Sequence, residues 1–312
     1  MLKVDRISRR YGSRLALREV SFAAGEHEII ALMGRNGAGK STLMNILTGY
    51  LAPSAGQALI GGHDVQAEPL AARRLVGYLP ETPPLYPDLT VREYLTYCAR
   101  LKGIEKKAIR PEVARVIERT GLQEYANRLS RALSKGYRQR LGMAQALLGA
   151  PALLILDEPG SGLDPLQMVQ MRELSLDAAK DCTVLLSSHI LSEVTNVCTR
   201  AIVIESGEIR YDGPMSALLQ GENALRVVHT GGEDVAQALR SLPGVTAVRA
   251  LPGAENALEV CIEAGTDLRL AVSRCVARCG AEVAELTPLR GGLENAFLRL
   301  LDGQPQSKEV NP

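Results

Sequence analysis

The segment Gly34–Thr42 has the sequence GRNGAGKST. It matches the pattern G-x-x-x-x-G-K-[ST], in which backbone N–H groups curl around phosphates. In this pattern Lys40 supplies a positive charge to the β- and γ-phosphates, and the Ser41 hydroxyl binds Mg²⁺. The segment therefore predicts a nucleotide site with the loop residues Gly34, Asn36, Gly37, Gly39, Lys40, Ser41 and Thr42.

The residues around this loop have the pattern of a buried strand before it and a helix after it. EIIALM, from Glu28 to Met33, is almost continuously apolar, and STLMNILTG has apolar residues at helical spacing and ends at Gly49. Strand, loop and helix N-terminus together form an anion site, because free N–H groups and the helix dipole both face the phosphate. The alternative is an ordinary glycine-rich turn, which the Lys-Ser pair in register disfavours.

Length and composition indicate a two-domain protein. The chain has 312 residues, 46% of them hydrophobic, and a formal net charge of +1, so no bulk attraction to nucleic acid or anionic lipid is expected. No apolar run approaches the roughly 18 residues that span a bilayer, and the N-terminal sequence lacks the apolar stretch of a signal peptide. The six cysteines form no CxxC pair and are predicted to be buried reduced thiols. A metal or redox pair at Cys275 and Cys279 is the alternative.

The pattern along the chain changes twice. Short strands and turns precede residue 70, helical periodicity runs from 91 to about 150, and two apolar strands, PALLILDEP and DCTVLLSSH, follow. AIVIESGEIRYDG has the pattern of a hairpin with its turn near Ser206 and Gly207. After residue 220 the predicted order β-α-β-β-α-β is that of the ferredoxin-like split motif. We therefore predict an α/β P-loop NTPase domain at 1–220, a small α+β ferredoxin-like domain at 221–303 closed by the helix GLENAFLRLLDG, and a disordered tail at 304–312.

Two carboxylates, Asp157 and Glu158, end the apolar strand LLILDEP. Such a pair is costly to bury unless a cation or solvent meets it. We predict that Asp157 holds Mg²⁺, directly or through water, and that Glu158 polarises an attacking water as a general base. The alternative is a strand that simply ends in polar residues.

Ser134 and Gly136 lie in LSKGYRQRLGMAQALLGAP, at the start of a helix predicted from about Tyr137 to Gly149. A helix start offers a hydroxyl and free N–H groups to an anion. Because the chain already has a phosphate loop, a second anion site is explained by a nucleotide on another subunit. Here the sequence resembles the ATP-binding cassette (ABC) family, whose signature is LSGGQ followed by x-Q-R. The matching residues are Leu133, Ser134, Gly136, Gln139 and Arg140, whereas Lys135 replaces a glycine and Tyr137 a glutamine.

The resemblance covers roughly residues 1 to 218 and implies roles for further residues. It implies a cassette with a parallel-sheet core and a helical signature subdomain at about 91–150. Tyr11 stands where the family places an aromatic residue against adenine. Asp164 in SGLDP resembles the D-loop that touches the opposite site, and His189 resembles the switch histidine that contacts the γ-phosphate. Glu81 replaces the glutamine of the family's Q-loop, where its carboxylate can still reach Mg²⁺ or its water.

The resemblance also implies a function, the ATPase subunit of an ABC transporter that uses ATP and Mg²⁺. Separate transmembrane permease subunits would carry the pathway, which places the chain in the cytoplasm, peripheral on the inner face of the membrane, with no nucleic acid as partner. Two ATPase subunits, in a homodimer or heterodimer, would enclose two ATP molecules, each between one subunit's phosphate loop and the other's Ser134 and Gly136. LSKGYRQR with LPETPPLY resembles the exporter branch that includes gliding-motility, copper-enzyme maturation and drug-export ATPases.

Two other classes of function compete with transport. One is a soluble ABC ATPase without a transport role, such as a DNA-repair or translation-factor relative. The chain has no sustained heptad run and only one cassette, which disfavours both. The other is a binding module with an inactive site, which the presence of Lys40, Asp157, Glu158 and His189 disfavours.

Overall fold

The computed structural model describes residues 1–188, 191–219, 223–231, 234–251, 256–263 and 266–289. The chain divides into two compact units, Met1–Met215 and Ser216–Pro312. The sequence placed this boundary after residue 220, and a short helix, Met215–Leu219, lies between the two positions. His189, the helix predicted at GLENAFLRLLDG and the tail at 304–312 lie outside the described residues.

The first unit alternates strands and helices in the order expected of a P-loop domain. Its described elements are β1 Leu2–Tyr11, β2 Arg14–Ala24, β3 Ile29–Met33, α1 Lys40–Leu47, β4 Ala55–Ile60, β5 His63–Asp64, α2 Pro69–Arg74, β6 Val76–Leu79, α3 Val91–Leu101, α4 Lys106–Arg119, α5 Lys135–Ala146, β7 Leu153–Asp157, α6 Pro165–Ala178, β8 Thr183–Ser187, α7 Leu191–Val197, β9 Arg200–Glu205 and β10 Glu208–Pro214, followed by α8 Met215–Leu219. Two 3-10 turns, Gln123–Tyr125 and Ser130–Ala132, connect α4 to α5.

Two sheets build the described part of this unit. An antiparallel sheet has the strand order β2-β1-β4-β5, and a larger sheet has the order β10-β9-β3-β8-β7-β6. In the larger sheet β9, β3, β8, β7 and β6 are parallel neighbours, and β10 is antiparallel at the edge. The predicted parallel-sheet cassette is therefore confirmed. Because β8 lies between β3 and β7, the segments that follow these three strands meet at one edge of the sheet, where ligands bind in open α/β sheets.

The central strands are apolar because both faces of the parallel sheet are covered. All five residues of β3 are buried, as are all five of β8. Burying a side chain such as Leu32 or Leu185 stabilises the fold by roughly 1.5–3 kcal/mol. At the edge of the sheet Ser206 and Gly207 both have positive φ, 51° and 81°, and close the predicted hairpin between β9 and β10.

Helices α3, α4 and α5 form the helical subdomain between β6 and β7. Thr90 begins α3 with a capping box, since its hydroxyl accepts from the Glu93 N–H and the Glu93 carboxylate accepts from the Thr90 N–H. Helix α5 begins two residues earlier than the sequence predicted, because the Ser134 hydroxyl accepts a hydrogen bond from the Tyr137 N–H and caps it.

The second unit has its own sheet and core. Its described elements are β11 Asn223–His229, α9 Val235–Arg240, β12 Val245–Ala250, β13 Ala257–Ile262, α10 Arg269–Arg278 and β14 Val283–Leu289, with the antiparallel strand order β12-β13-β11-β14. This is the predicted β-α-β-β-α-β order. Cys275 and Cys279 pack against the core of this unit, and all six cysteines are free thiols.

Candidate nucleotide site

A cavity of about 470 Å³ opens at the carboxyl-terminal edge of the parallel sheet. Pockets of this size are typical of small-molecule sites. The predicted binding and catalytic residues that line it are Tyr11, Asn36, Gly37, Gly39, Lys40, Ser41, Thr42, Glu81, Asp157 and Glu158. Four parts of the sequence, around residues 11, 36–42, 81 and 157–158, thus meet at one place.

The phosphate loop leaves β3 and enters α1 through a backbone that only glycine tolerates. Gly39 has φ of 118°, and a Cβ there would come within 2.7 Å of the Leu17 side chain and 2.8 Å of the Ala16 carbonyl oxygen. Among the described residues, no side chain caps the N-terminus of α1 and no acidic residue lies in its first turn. The N–H groups of this helix start therefore remain available to an anion.

The Lys40 amine lies over the loop that precedes it. Its Nζ donates to the carbonyl oxygens of Gly34 at 2.6 Å and Arg35 at 3.2 Å. Partial burial lowers the pKa of Lys40, and the nearby carboxylates of Glu158, Asp157 and Glu205 act in the opposite direction. An ammonium in this half-buried position interacts more strongly with a phosphate than one that is fully exposed to water.

Asp157 is the last residue of β7, and the sheet fixes its side chain from the neighbouring strand. It lies opposite Ser187 in the parallel register with β8, and the Ser187 hydroxyl donates to the Asp157 carboxylate at 2.6 Å. Burial raises the pKa of Asp157, and repulsion from Glu158 and Glu81 adds to this, while the Ser187 hydrogen bond and Lys40 oppose it. The carboxylate is therefore held in a place that disfavours its negative charge.

Glu158 has an unusual backbone for a residue with a side chain. Its φ is 49°, in the left-handed region that non-glycine residues rarely adopt. The Glu158 N–H contacts both the backbone and hydroxyl oxygens of Ser187, at 3.1 and 3.2 Å, and the Glu158 carbonyl accepts from the Ser161 N–H. Strain of this kind costs about 1–3 kcal/mol and persists where the surroundings enforce it, which is common at functional sites.

Glu81 connects the cavity to two neighbouring segments. Its carboxylate accepts a hydrogen bond from the Ser161 hydroxyl at 3.1 Å, and its carbonyl accepts one from the Gln139 amide at 3.3 Å. Ser161 belongs to the SGLDP segment and Gln139 to α5. Glu81 therefore contacts both the SGLDP segment and α5.

The donors in the cavity fit a magnesium ion that is shared with a nucleotide. Mg²⁺ is usually bound through one or two carboxylates together with substrate phosphates and waters. Ser41, Asp157 and Glu81 offer a hydroxyl and two carboxylates, and a divalent cation would offset the crowding that raises the pKa of Asp157. Within the described residues no cluster of three histidine, cysteine or acidic side chains could hold a metal by itself.

The signature residues Ser134 and Gly136 do not line this cavity. Ser134 caps α5, and Gly136 lies against α6, where a Cβ would come within 2.6 Å of the Gln167 side chain. Asp164 begins α6 and accepts from the Gln167 N–H at 2.8 Å. The signature helix and the D-loop segment are thus packed together, outside the cavity of their own chain.

Tyr11 lies at the cavity rim, with 46% of its surface exposed. The Arg9 guanidinium lies over the ring, 4.9 Å from its centroid. A ring held in this way offers a stacking surface for a nucleobase. The predicted position of Tyr11 at the nucleotide cavity is therefore compatible with adenine binding.

Three polar residues of the site had not been identified from the sequence. Arg14 lines the cavity from the start of β2, Ser187 holds Asp157, and Ser161 contacts Glu81. Ser187 ends a strand that was predicted, so a prediction of strand order would have placed it beside Asp157. Arg14 lies outside every motif, and only its position in the folded hairpin shows it.

Comparisons with known proteins agree with this geometry. A family model described as ABC transporter matches residues 17–161. An uncharacterised ABC transporter ATP-binding protein, YxlF of Bacillus subtilis, is 33% identical over 302 residues, which are 96% of this chain and 99% of that protein. The bacitracin transport ATP-binding protein BcrA of Bacillus licheniformis is 36% identical over 220 residues, 70% of this chain and 71% of that protein.

Solved structures agree as well. A dimeric structure of MJ0796, described as a bacterial ABC transporter cassette, is 25% identical and has a TM-score of 0.62 over 69% of this chain and 99% of that one. The chain belongs to the ATP-binding subunits of ABC transporters. It is an ATP-binding and ATP-hydrolysing P-loop enzyme. No helix in the described ranges is long and apolar enough to cross a membrane.

Proposed function

We propose that this chain is one of a pair of ATPase subunits that power an exporter, and that its ATP site is completed by the partner subunit. The observation that carries this proposal is the separation of Ser134 and Gly136 from the cavity of their own chain. An exposed, capped helix start next to the D-loop serves no phosphate bound in the same subunit. A second subunit in antiparallel orientation would bring these groups to its partner's nucleotide.

The residues of the cavity have distinct roles in this proposal. Lys40 and the loop N–H groups bind the phosphates, and Ser41, Asp157 and Glu81 hold Mg²⁺. Glu158 lies beside Lys40 in the cavity and accepts a proton from the attacking water, so that hydroxide adds to the γ-phosphorus as ADP leaves.

The remaining residues complete the site in the pair. His189 contacts the γ-phosphate from the same chain, and Asp164 touches the partner's site. Tyr11 stacks on adenine. Closure of the pair on ATP, followed by its release after hydrolysis, would move the attached membrane subunits between two states.

Separate transmembrane permease subunits are the proposed partners, and they would hold the chain on the cytoplasmic face of the membrane. Export as the direction is supported by the name of one relative, the Nod factor export ATP-binding protein I of Burkholderia orbicola, and by the resemblance of the LSKGYRQR and LPETPPLY segments to exporter subunits. The second unit, 216–312, is proposed to be an accessory domain.

The pairing is tested with Ser134→Arg, which places a large, positively charged side chain at the start of α5. In a Glu158→Gln background, which slows hydrolysis, ATP should convert the monomer to a dimer in light-scattering chromatography. Adding Ser134→Arg should abolish this dimer and leave ATP binding to the monomer within about threefold. The matched control is Gln123→Arg, an exposed position on the same subdomain, which should dimerise normally. An ATP-dependent dimer in the Ser134→Arg protein would exclude the composite site.

Transport is tested separately by purification from native membranes. Tagged Glu158→Gln protein, loaded with ATP, should retain polytopic membrane proteins after mild detergent extraction. The same preparation from a strain with untagged protein is the control. Recovery of the ATPase alone from both membrane and soluble fractions would favour the soluble ABC ATPase instead.

A further inference from the structure

Arg14 lies in the nucleotide cavity but belongs to none of the motifs. It is the first residue of β2 and is exposed at the cavity wall, together with Lys40 and Ser41. Its guanidinium donates to the carbonyl oxygen of Gly37 at 3.3 Å. A contact between this hairpin and the phosphate loop gives the arginine a defined place in the site.

The register of the hairpin shows which part of the cavity Arg14 faces. Tyr11 and Arg14 are directly opposite each other in the antiparallel pairing of β1 with β2. Opposite residues project to the same side of a sheet, with Cβ atoms about 4.5–5.5 Å apart. The aromatic ring and the guanidinium therefore belong to the same wall, and the guanidinium extends from there to the phosphate loop.

The two cations contact different parts of that loop. Lys40 donates to the carbonyls of Gly34 and Arg35, whereas Arg14 donates to Gly37. In a phosphate loop the backbone N–H groups cradle the α- and β-phosphates, and the lysine reaches the β- and γ-phosphates. Arg14, between the ring and the backbone of the loop, is on the side of the α- and β-phosphates.

A second cationic side chain offsets part of the negative charge in the cavity. Three carboxylates, Glu81, Asp157 and Glu158, share the cavity with two cationic side chains, Lys40 and Arg14. A polyphosphate brings further negative charge. Arginine presents five N–H donors in a planar fork that matches phosphate geometry, and one contact to Gly37 leaves donors for a ligand.

We propose that Arg14 is a phosphate-binding residue that grips the α- and β-phosphates, so that it contributes equally to the binding of nucleoside diphosphates and triphosphates. Lys40 then favours the triphosphate and Arg14 does not discriminate. This inference rests on the nucleotide site proposed above.

The test is isothermal titration of the full chain with ATP, ADP and adenosine in EDTA, so that Mg²⁺ does not contribute. Arg14→Ala should weaken ATP and ADP about tenfold each and leave adenosine unchanged, and Arg14→Lys should recover part of the loss. A tenfold loss corresponds to about 1.4 kcal/mol, close to the lower end of what a hydrogen bond to a charged group contributes. Arg18→Ala is the control, because Arg18 lies on the same strand, outside the cavity, near Glu208.

Two results would overturn the proposal. One is ADP affinity in folded Arg14→Ala within about twofold of wild type. The other is a loss for ATP alone, which would place the arginine at the γ-phosphate. Failure of the wild type to bind either nucleotide is a different result, because it would remove the nucleotide site itself. Equal melting temperatures of Arg14→Ala and Arg18→Ala exclude misfolding as the cause of a loss.

Discussion

The phosphate cavity and the start of α5 use similar chemistry but are completed differently. Both include a helix start that carries a hydroxyl side chain, Ser41 in α1 and Ser134 at α5. At the cavity, Lys40, Asp157 and Glu158 converge from separate segments of one chain. At the start of α5, Gly136 packs against Gln167 of α6, and neither Ser134 nor Gly136 lines the cavity.

This difference indicates that ATP binding within one chain and the proposed pairing of two subunits depend on different parts of the molecule. The residues proposed to bind ATP and Mg²⁺, among them Lys40, Ser41 and Asp157, line the cavity, whereas Ser134 and Gly136 do not. Glu81 lines the cavity and also accepts hydrogen bonds from Ser161 and from Gln139 of α5. Changes at the cavity should therefore alter chemistry and nucleotide affinity in the monomer, whereas changes at the signature should alter pairing.

The largest expected effect is on turnover, from Glu158→Gln. The amide keeps the shape of the side chain but cannot accept the proton from water, and general-base catalysis contributes about 10²–10⁴-fold. Single-turnover hydrolysis should fall by that factor, which corresponds to roughly 2.7–5.4 kcal/mol of barrier at about 1.36 kcal/mol per decade. ATP affinity should be retained, so the protein should accumulate as an ATP-bound dimer.

Glu173→Gln on α6 is the control, because this glutamate is exposed and lies outside the cavity. It should hydrolyse ATP at the wild-type rate. If Glu158→Gln is well folded and turns over within about threefold of wild type, Glu158 has no catalytic role. The cavity would then be a binding site without an assigned general base.

The next effect is on affinity, from Lys40→Ala. Removing the ammonium should weaken ATP binding about ten- to a hundredfold, and it should weaken ATP more than ADP because the lysine reaches the β- and γ-phosphates. Titration calorimetry of the monomer measures both. Lys107→Ala, at a side chain that is 86% exposed on α4, should leave both affinities unchanged. Equal ATP affinity in Lys40→Ala and wild type would contradict the assignment of the cavity.

Much of the fold follows from local patterns in the sequence. Continuous apolar runs predicted the buried strands β3, β7 and β8, and Ser206-Gly207 predicted the turn of the β9–β10 hairpin. These features depend on residues that are close in the chain. The phosphate loop, Asp157 and Glu158 were also predicted from local patterns, whereas Tyr11 and Glu81 were predicted from the ABC resemblance. The structure brings ten of the predicted residues to one cavity.

Features that depend on distant segments could not be predicted from those patterns. The left-handed backbone of Glu158 arises because β8 holds its N–H group through Ser187, 29 residues away. The place of Arg14 depends on the register of β1 with β2 and on a loop 23 residues further along. Strand order and register determine the backbone of Glu158 and the position of Arg14, and no sequence motif indicates either feature.

The smallest expected effect is on stability, from Asp157→Asn. It shows whether the Asp157 carboxylate serves Mg²⁺ binding or the stability of the fold. Burial and the neighbouring carboxylates raise the pKa of Asp157, so its charge destabilises the fold at neutral pH. Asp157→Asn should increase the free energy of unfolding by about 0.5–1 kcal/mol, or raise the melting temperature by about 1–4 °C, while abolishing the strengthening of ATP binding by Mg²⁺. The control is Asp177→Asn, because Arg119 and Lys180 lower the pKa of Asp177 and its charge stabilises the fold.

The pH dependence of stability shows independently whether the charge of Asp157 destabilises or stabilises the fold. A carboxyl group with a raised pKa binds its proton more tightly in the folded state, so wild-type stability gains from Asp157 as the pH falls through the folded-state pKa. The advantage of Asp157→Asn should therefore be largest near neutral pH and should vanish as the pH approaches the ordinary carboxyl range. Asp177→Asn should behave in the opposite way, with a loss of stability near neutral pH that disappears on acidification. If Asp157→Asn instead lowers the melting temperature at neutral pH as Asp177→Asn does, the carboxylate serves the fold, and the hydrogen bond from Ser187 outweighs the repulsion in the cavity.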